Sequence, residues 1–117
     1  MSAPRRIALI IAADEPALFY DSVASAELDL EAIDVRDGVY GPVYGRNGEA
    51  YRIDAVGGRV VIVPDRSKTS DPDGLRQVLT AFLRQAMPNA KVDSDLATLL
   101  LHCEPYLERI SVGTKTW

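Results

Sequence analysis

A chain of 117 residues with 17 acidic and 13 basic side chains carries a formal charge of -4, so it lacks the lysine and arginine excess that nucleic acid phosphates demand. Its composition, 47% apolar and 26% charged, is that of an ordinary globular protein, and at this length one core serves residues 1 to 117 as a single domain. The single cysteine, Cys103, excludes an intrachain disulfide and suits a reducing, cytoplasmic setting.

The first apolar segment, 6 to 12, reads RIALIIA. It sits at the short limit for the apolar core of a secretory signal and is too short to cross a bilayer, which leaves a buried strand. Asp14 and Pro16 then stand where an N-cap and a first helical residue belong, so a helix is expected through about Ser25.

Three dipeptides follow at intervals of about ten residues: Asp37-Gly38, Asn47-Gly48 and Gly57-Gly58. Each is a signal for a two-residue hairpin, because a type I′ turn needs positive φ at both central positions. Together they predict a four-stranded antiparallel meander over 29 to 64, extended by the strand at 6 to 12. Pro42 is discordant inside a strand and calls for a bulge near Gly41-Pro42.

Two-residue turns also fix the register, since residues opposite one another share a face. One face then collects Ile33, Val35, Tyr40, Pro42, Tyr44, Tyr51, Ile53, Ala55, Val60 and Ile62, with Tyr44 opposite Tyr51. The other face carries Asp34, Arg36, Arg52, Asp54 and Arg59 among Val39, Val43, Val56, Val61 and Val63. It is a solvated face, a binding face for a protein partner, or the interface of a homodimer.

Within a polar stretch at 66 to 74, Asp71 and Pro72 open a helix whose Leu75, Val78, Leu79, Phe82, Leu83 and Ala86 form one apolar stripe ending before Pro88. A second helix, capped by Asp93 or Ser94, turns Leu96, Leu99, Leu100 and Cys103 inward. Pro105 ends or kinks it, leaving 106 to 110 as a last turn. The whole reads as an α+β domain with two to three helices packed on one sheet face.

No catalytic constellation emerges. The one histidine, His102, and its neighbour Cys103 point in different directions on a helix and make no nucleophile and base pair. The acidic pairs Asp71/Asp73 and Asp93/Asp95 stand at helix starts, where they cap, and the DPDG stretch lacks the remaining ligands of a calcium loop, so neither a metal nor a cofactor is expected. The segment GPVYGRNG lacks the Gly-Lys-Ser/Thr ending of a phosphate loop.

The stretch IALIIAADEPALF resembles the opening of two-component response-regulator receiver domains, and VVIVPD with the helix after it resembles their phospho-acceptor strand and following helix. That resemblance implies Asp14 and Glu15 as magnesium ligands and Asp65 as phosphate acceptor. The hairpin signals occupy the place of that family's second helix, and no matching Ser/Thr and Lys stand at the strand ends.

The composition favours a small acidic binding protein without evident catalysis, of the kind exemplified by bacterial immunity or antitoxin-type inhibitors, which block a basic enzyme by presenting carboxylates. Asp34 and Asp54, or Glu27, Asp29 and Glu31, are the candidate carboxylates. The rival expectation is a small-molecule-binding or enzymatic domain with a pocket lined by Tyr40, Tyr44, Tyr51 and His102.

Overall fold

The computed structural model describes residues 6 to 13, 16 to 89 and 95 to 108. It is an α+β fold built on a five-stranded, wholly antiparallel sheet of order β2-β1-β3-β4-β5, comprising β1 (Leu9–Ala12), β2 (Ala17–Tyr20), β3 (Val43–Gly45), β4 (Ala50–Val56) and β5 (Arg59–Pro64). Among the described residues, four helices accompany it: α1 (Val23–Asp29), α2 (Ala32–Arg36), α3 (Pro72–Ala86) and α4 (Leu96–Cys103), the last followed by a 3₁₀ turn at Glu104–Tyr106.

The helices lie on both faces of the sheet, where one covered face was expected. Ile10, Phe19 and Tyr44 point into a core closed by Leu75, Leu79, Leu83, Leu99, Leu100 and Cys103 of α3 and α4. Leu9, Ile11, Tyr20, Val43, Val60 and Ile62 point the other way, into a second core with Ala26 of α1 and Leu30. The interior strand β1, flanked by β2 and β3, is buried on both sides, as its unbroken apolar run demands. The apolar stripes of α3 and α4 bury most of the residues expected of them, with Leu75, Leu79 and Leu83 fully enclosed and Val78, Phe82 and Leu96 packed at the margin, while Ala86, the last of the α3 stripe, is exposed.

Asp71 caps α3 as expected, its Oδ1 accepting the Gly74 N–H at 2.9 Å. The cap of α4 is Asp95, which accepts from the Thr98 N–H at 2.9 Å; Asp93 and Ser94 lie outside the described residues. Pro105 ends α4 in the 3₁₀ turn, and the chain leaves it at Leu107. Of the last turn expected over 106 to 110, residues 109 and 110 lie outside the described residues.

Two segments differ from expectation. Residues 17 to 20 form an edge strand paired to β1, with Ala17 opposite Ala12 and Tyr20 opposite Leu9, and the helix starts only at Val23. Its N-cap is Ser22, whose hydroxyl accepts from the Ser25 N–H at 3.0 Å. Asp14, expected to cap it, lies outside the described residues.

The first strand of the expected meander is helical. Residues 32 to 36 form α2, and Asp37-Gly38 closes that helix in place of a hairpin. Gly38 sits at φ 72°, its N–H bonds the Val35 carbonyl at 3.2 Å, and the Val39 N–H reaches the Asp34 carbonyl at 3.0 Å. These two bonds are a Schellman cap, which wants a left-handed glycine just as the hairpin turn does.

The Gly57-Gly58 turn is as expected, both glycines having positive φ, and β4 and β5 pair with Val56 opposite Arg59 and Ile53 opposite Ile62. The Asn47-Gly48 turn is one residue longer. No residue other than glycine has positive φ among those described, so Asn47 cannot enter a type I′ turn; Gly48 alone adopts φ 90°. The Gly45 N–H reaches the Glu49 carbonyl at 2.8 Å across a three-residue loop with a left-handed third position. Tyr51 therefore pairs with Val43, and Tyr44 moves to the opposite face from Tyr51.

Cys103 is fully buried, and burial pushes its thiol up to about 12 from an ordinary 9.0. Because the folded thiol titrates above the free one, its share of stability is complete below pH 9 and lost as the pH climbs toward about 12. At pH 8, alkylation by iodoacetamide is expected to proceed only as fast as the protein opens, and to rise to the free-thiol rate in denaturant.

Candidate functional site

The residues expected to share one binding face are separated by the helical state of 32 to 36. Asp34 and Arg36 sit on α2, and Asp34 accepts a long hydrogen bond of 3.4 Å from the Tyr40 hydroxyl. Arg52, Asp54 and Arg59 do share a face on β4 and β5, with Val56, Val61 and Val63 alternating among them. Arg52 Nε bonds Asp54 Oδ2 at 2.9 Å, both side chains half in water. Val39 and Val43 do not join this face: Val39 is an exposed residue after α2, and Val43 belongs to the core under α1.

The four residues of the expected pocket do not meet. Tyr40 and Tyr51 pack at the margin of the core beneath α1 and α2, Tyr44 belongs to the core beneath α3 and α4, and His102 is exposed on α4. Tyr44 and Tyr51 do line a common cleft of about 240 Å³ with Pro42, Lys68, Thr69 and Asp71. Burial, and then the Asp71 carboxylate, raise the Tyr44 phenol above its ordinary 10.0, so it stays protonated at neutral pH.

The receiver resemblance does not extend to the fold. That family's doubly wound fold rests on a parallel sheet, whereas every pairing here is antiparallel and β1 and β5 are not neighbours. Asp14 and Glu15 lie outside the described residues. Asp65 is partly exposed, and its carboxylate accepts both the hydroxyl and the N–H of Ser67, bonds that hold it below its ordinary range.

The strongest surface feature lies in α1, α2 and their surroundings. Between residues 27 and 37 stand Glu27, Asp29, Glu31, Asp34 and Asp37 against Arg36 alone, a charge of -4 that equals the whole chain's. Removing these from 17 acidic and 13 basic residues leaves 12 of each, so the formal charge imbalance is concentrated here. The same stretch exposes apolar bulk: Leu28 at 61%, Ile33 at 59% and, just beyond it, Val39 at 40%.

Structure explains how so many carboxylates fit one segment. Tyr20 donates its hydroxyl to Asp29 Oδ2 at 2.7 Å, and Glu27 Oε2 accepts the Ile62 N–H at 2.8 Å, so two of the five help tie α1 to the sheet. Burial and the Asp29 carboxylate both raise the Tyr20 phenol far above its ordinary range, keeping it a donor. Glu31 and Asp37 are exposed and make no side-chain hydrogen bond or ion pair among the described residues.

Among the described residues, no group of three or more His, Cys, Asp and Glu side chains is arranged to hold a metal ion, and no helix is long and apolar enough to cross a membrane. No protein family, curated protein or solved structure matches this chain.

Proposed function

We propose that this protein is a binding domain for a basic protein partner, and that residues 27 to 39 form the contact. The observation that carries this reading is the coincidence, in one short segment, of the chain's entire formal charge imbalance with three exposed aliphatic side chains. Solvated carboxylates steer a cationic partner and set its orientation, while exposed aliphatic groups supply the apolar area that charge alone does not. An inhibitor that covers the cationic site of an enzyme, as bacterial immunity proteins and antitoxins do, is the form of activity this chemistry suits, in a cytoplasmic setting. The valines and arginines of the β4 and β5 face suit a second copy of the chain, which would show in the solution mass.

The test is capture of partners from the source cell on wild type and on Glu31→Lys/Asp37→Lys, followed by binding of the recovered protein in purified form. Neither side chain makes a hydrogen bond among the described residues, so the variant should stay within about 0.5 kcal/mol of wild-type stability. Its association rate at low salt should fall about ten-fold or more, and salt should erase the difference. Equal capture by both proteins would overturn the assignment of the surface, and failure to retain any basic protein would overturn the reading.

A further inference from the structure

The outer edge of β5 carries an unusual contact. In a two-residue hairpin the residues flanking the turn form a hydrogen-bonded pair, so Arg59, Val61 and Val63 face β4 with their backbone groups, and Val60, Ile62 and Pro64 face outward. The bond between Ile62 N–H and Glu27 agrees with that parity. Glu27 thus occupies the place where the carbonyl of a sixth strand would lie. Pro64 has no N–H to offer, and Val60 and Ile62 are exposed by only 6% and 3%. This edge is closed to strand addition, a common way of protecting a sheet from edge pairing.

Closing the edge leaves a cleft beside it. Ala24, Glu27, Leu28 and Leu30 on one side and Gly58, Arg59, Val60 and Val61 on the other bound about 700 Å³, within the range of ligand clefts. Leu28, the exposed apolar residue of α1, stands in its wall at 61% exposure. Glu27 spends Oε2 on Ile62 and makes no ion pair among the described residues. Arg59 also lines the cleft, so the attraction for a cation comes from the whole charge of -4 on residues 27 to 37, of which Glu27 is the member in the cleft.

We propose that this cleft receives an amphipathic helix of the basic partner, with an aliphatic side chain against Leu28 and a lysine or arginine toward Glu27. The proposal rests on the protein-binding reading above and specifies where and how that contact is made. A helix suits this cleft better than an added strand, since of the outward N–H groups of β5 that of Ile62 is taken by Glu27, Pro64 has none and Val60 is buried.

The experiment is a two-dimensional NMR titration of the full chain with a helical leucine-lysine peptide, and with its leucine-glutamate counterpart as control. Amide shifts at Ala24, Leu28, Gly58 and Val61 are expected with the lysine peptide only. Glu27→Gln keeps an oxygen to accept the Ile62 N–H and should weaken binding about two- to five-fold, and Leu28→Ser about ten-fold. Shifts confined to Ile33 and Val39, or to the Arg52, Asp54 and Val56 face, would overturn the cleft while leaving the protein-binding reading intact. So would no shift at all, if a basic partner is still captured by wild type in a salt-dependent manner. No shift together with no captured partner would overturn both.

Discussion

Gly48→Val is expected to destabilise the protein by about 3 kcal/mol or more, because it combines a left-handed backbone with a clash against main chain. Gly48 sits at φ 90°, and a Cβ there would lie 2.6 Å from the nitrogen and 2.7 Å from Cα of Pro72. Neither contact is the movable end of a side chain. The turn between β3 and β4 is pressed against the first residue of α3, and the Gly48 carbonyl accepts the Asp71 N–H at 2.8 Å. Relieving the clash would therefore displace the N-cap of α3, whose stripe closes one of the two cores. Gly57→Val is the control: its φ is also positive, at 57°, but nothing stands within 4 Å of a Cβ there. It should lose only the conformational term, about 1 to 2 kcal/mol. Urea unfolding of the two variants separates these terms, and equal losses would show that the backbone conformation at Gly48, and not its contact with Pro72, sets the cost.

The same glycine marks the limit of what could be read from the sequence. Asn47-Gly48 announces a turn, and a turn is present; its length could not be read, because a two-residue loop and a three-residue loop ending in left-handed glycine both accept those residues. Packing against Pro72 selects the longer one, and one extra residue sends Tyr44 and Tyr51 to opposite faces. At Gly57-Gly58, where nothing packs on the turn, the register follows the dipeptide alone.

Asp37-Gly38 shows a related ambiguity, since a Schellman cap and a hairpin ask for the same glycine. Residues 32 to 36, AIDVR, offer too few positions for period two and period 3.6 to be told apart. Ala17 to Tyr20 failed for a different reason: the Pro16 signal is local, whereas the strand exists because β1 offers a partner edge. The helix start that does stand in the sequence is Ser22, a capping residue three positions ahead of Ser25. The candidate contact was partly legible, since Glu27, Asp29, Glu31 and Asp34 stand out as carboxylates in any reading of the chain. Their company with exposed Leu28 and Ile33 was not, because only the helical geometry of α1 and α2 leaves those two side chains in solvent.

Phe19→Ala carries the other large expected effect, about 3 to 5 kcal/mol, a substantial part of the 5 to 15 kcal/mol of a typical domain. Phe19 is exposed by only 1%, and its ring meets that of Phe82 edge to face at 4.7 Å; Phe82 in turn meets Tyr106 at 5.1 Å. The strand β2, the middle of α3 and the turn after α4 are thus joined through one aromatic chain. The loss should appear as a fall in melting temperature of more than about 10 °C. Phe19→Leu separates shape from apolar area: it retains most of the buried carbon but forfeits the edge-to-face contact, worth about 0.5 to 1.5 kcal/mol. If Phe19→Leu proves as damaging as Phe19→Ala, the aromatic geometry dominates. If Phe19→Ala costs under about 1 kcal/mol, β2 and the turn after α4 do not share a core with α3, and the architecture of that face is wrong.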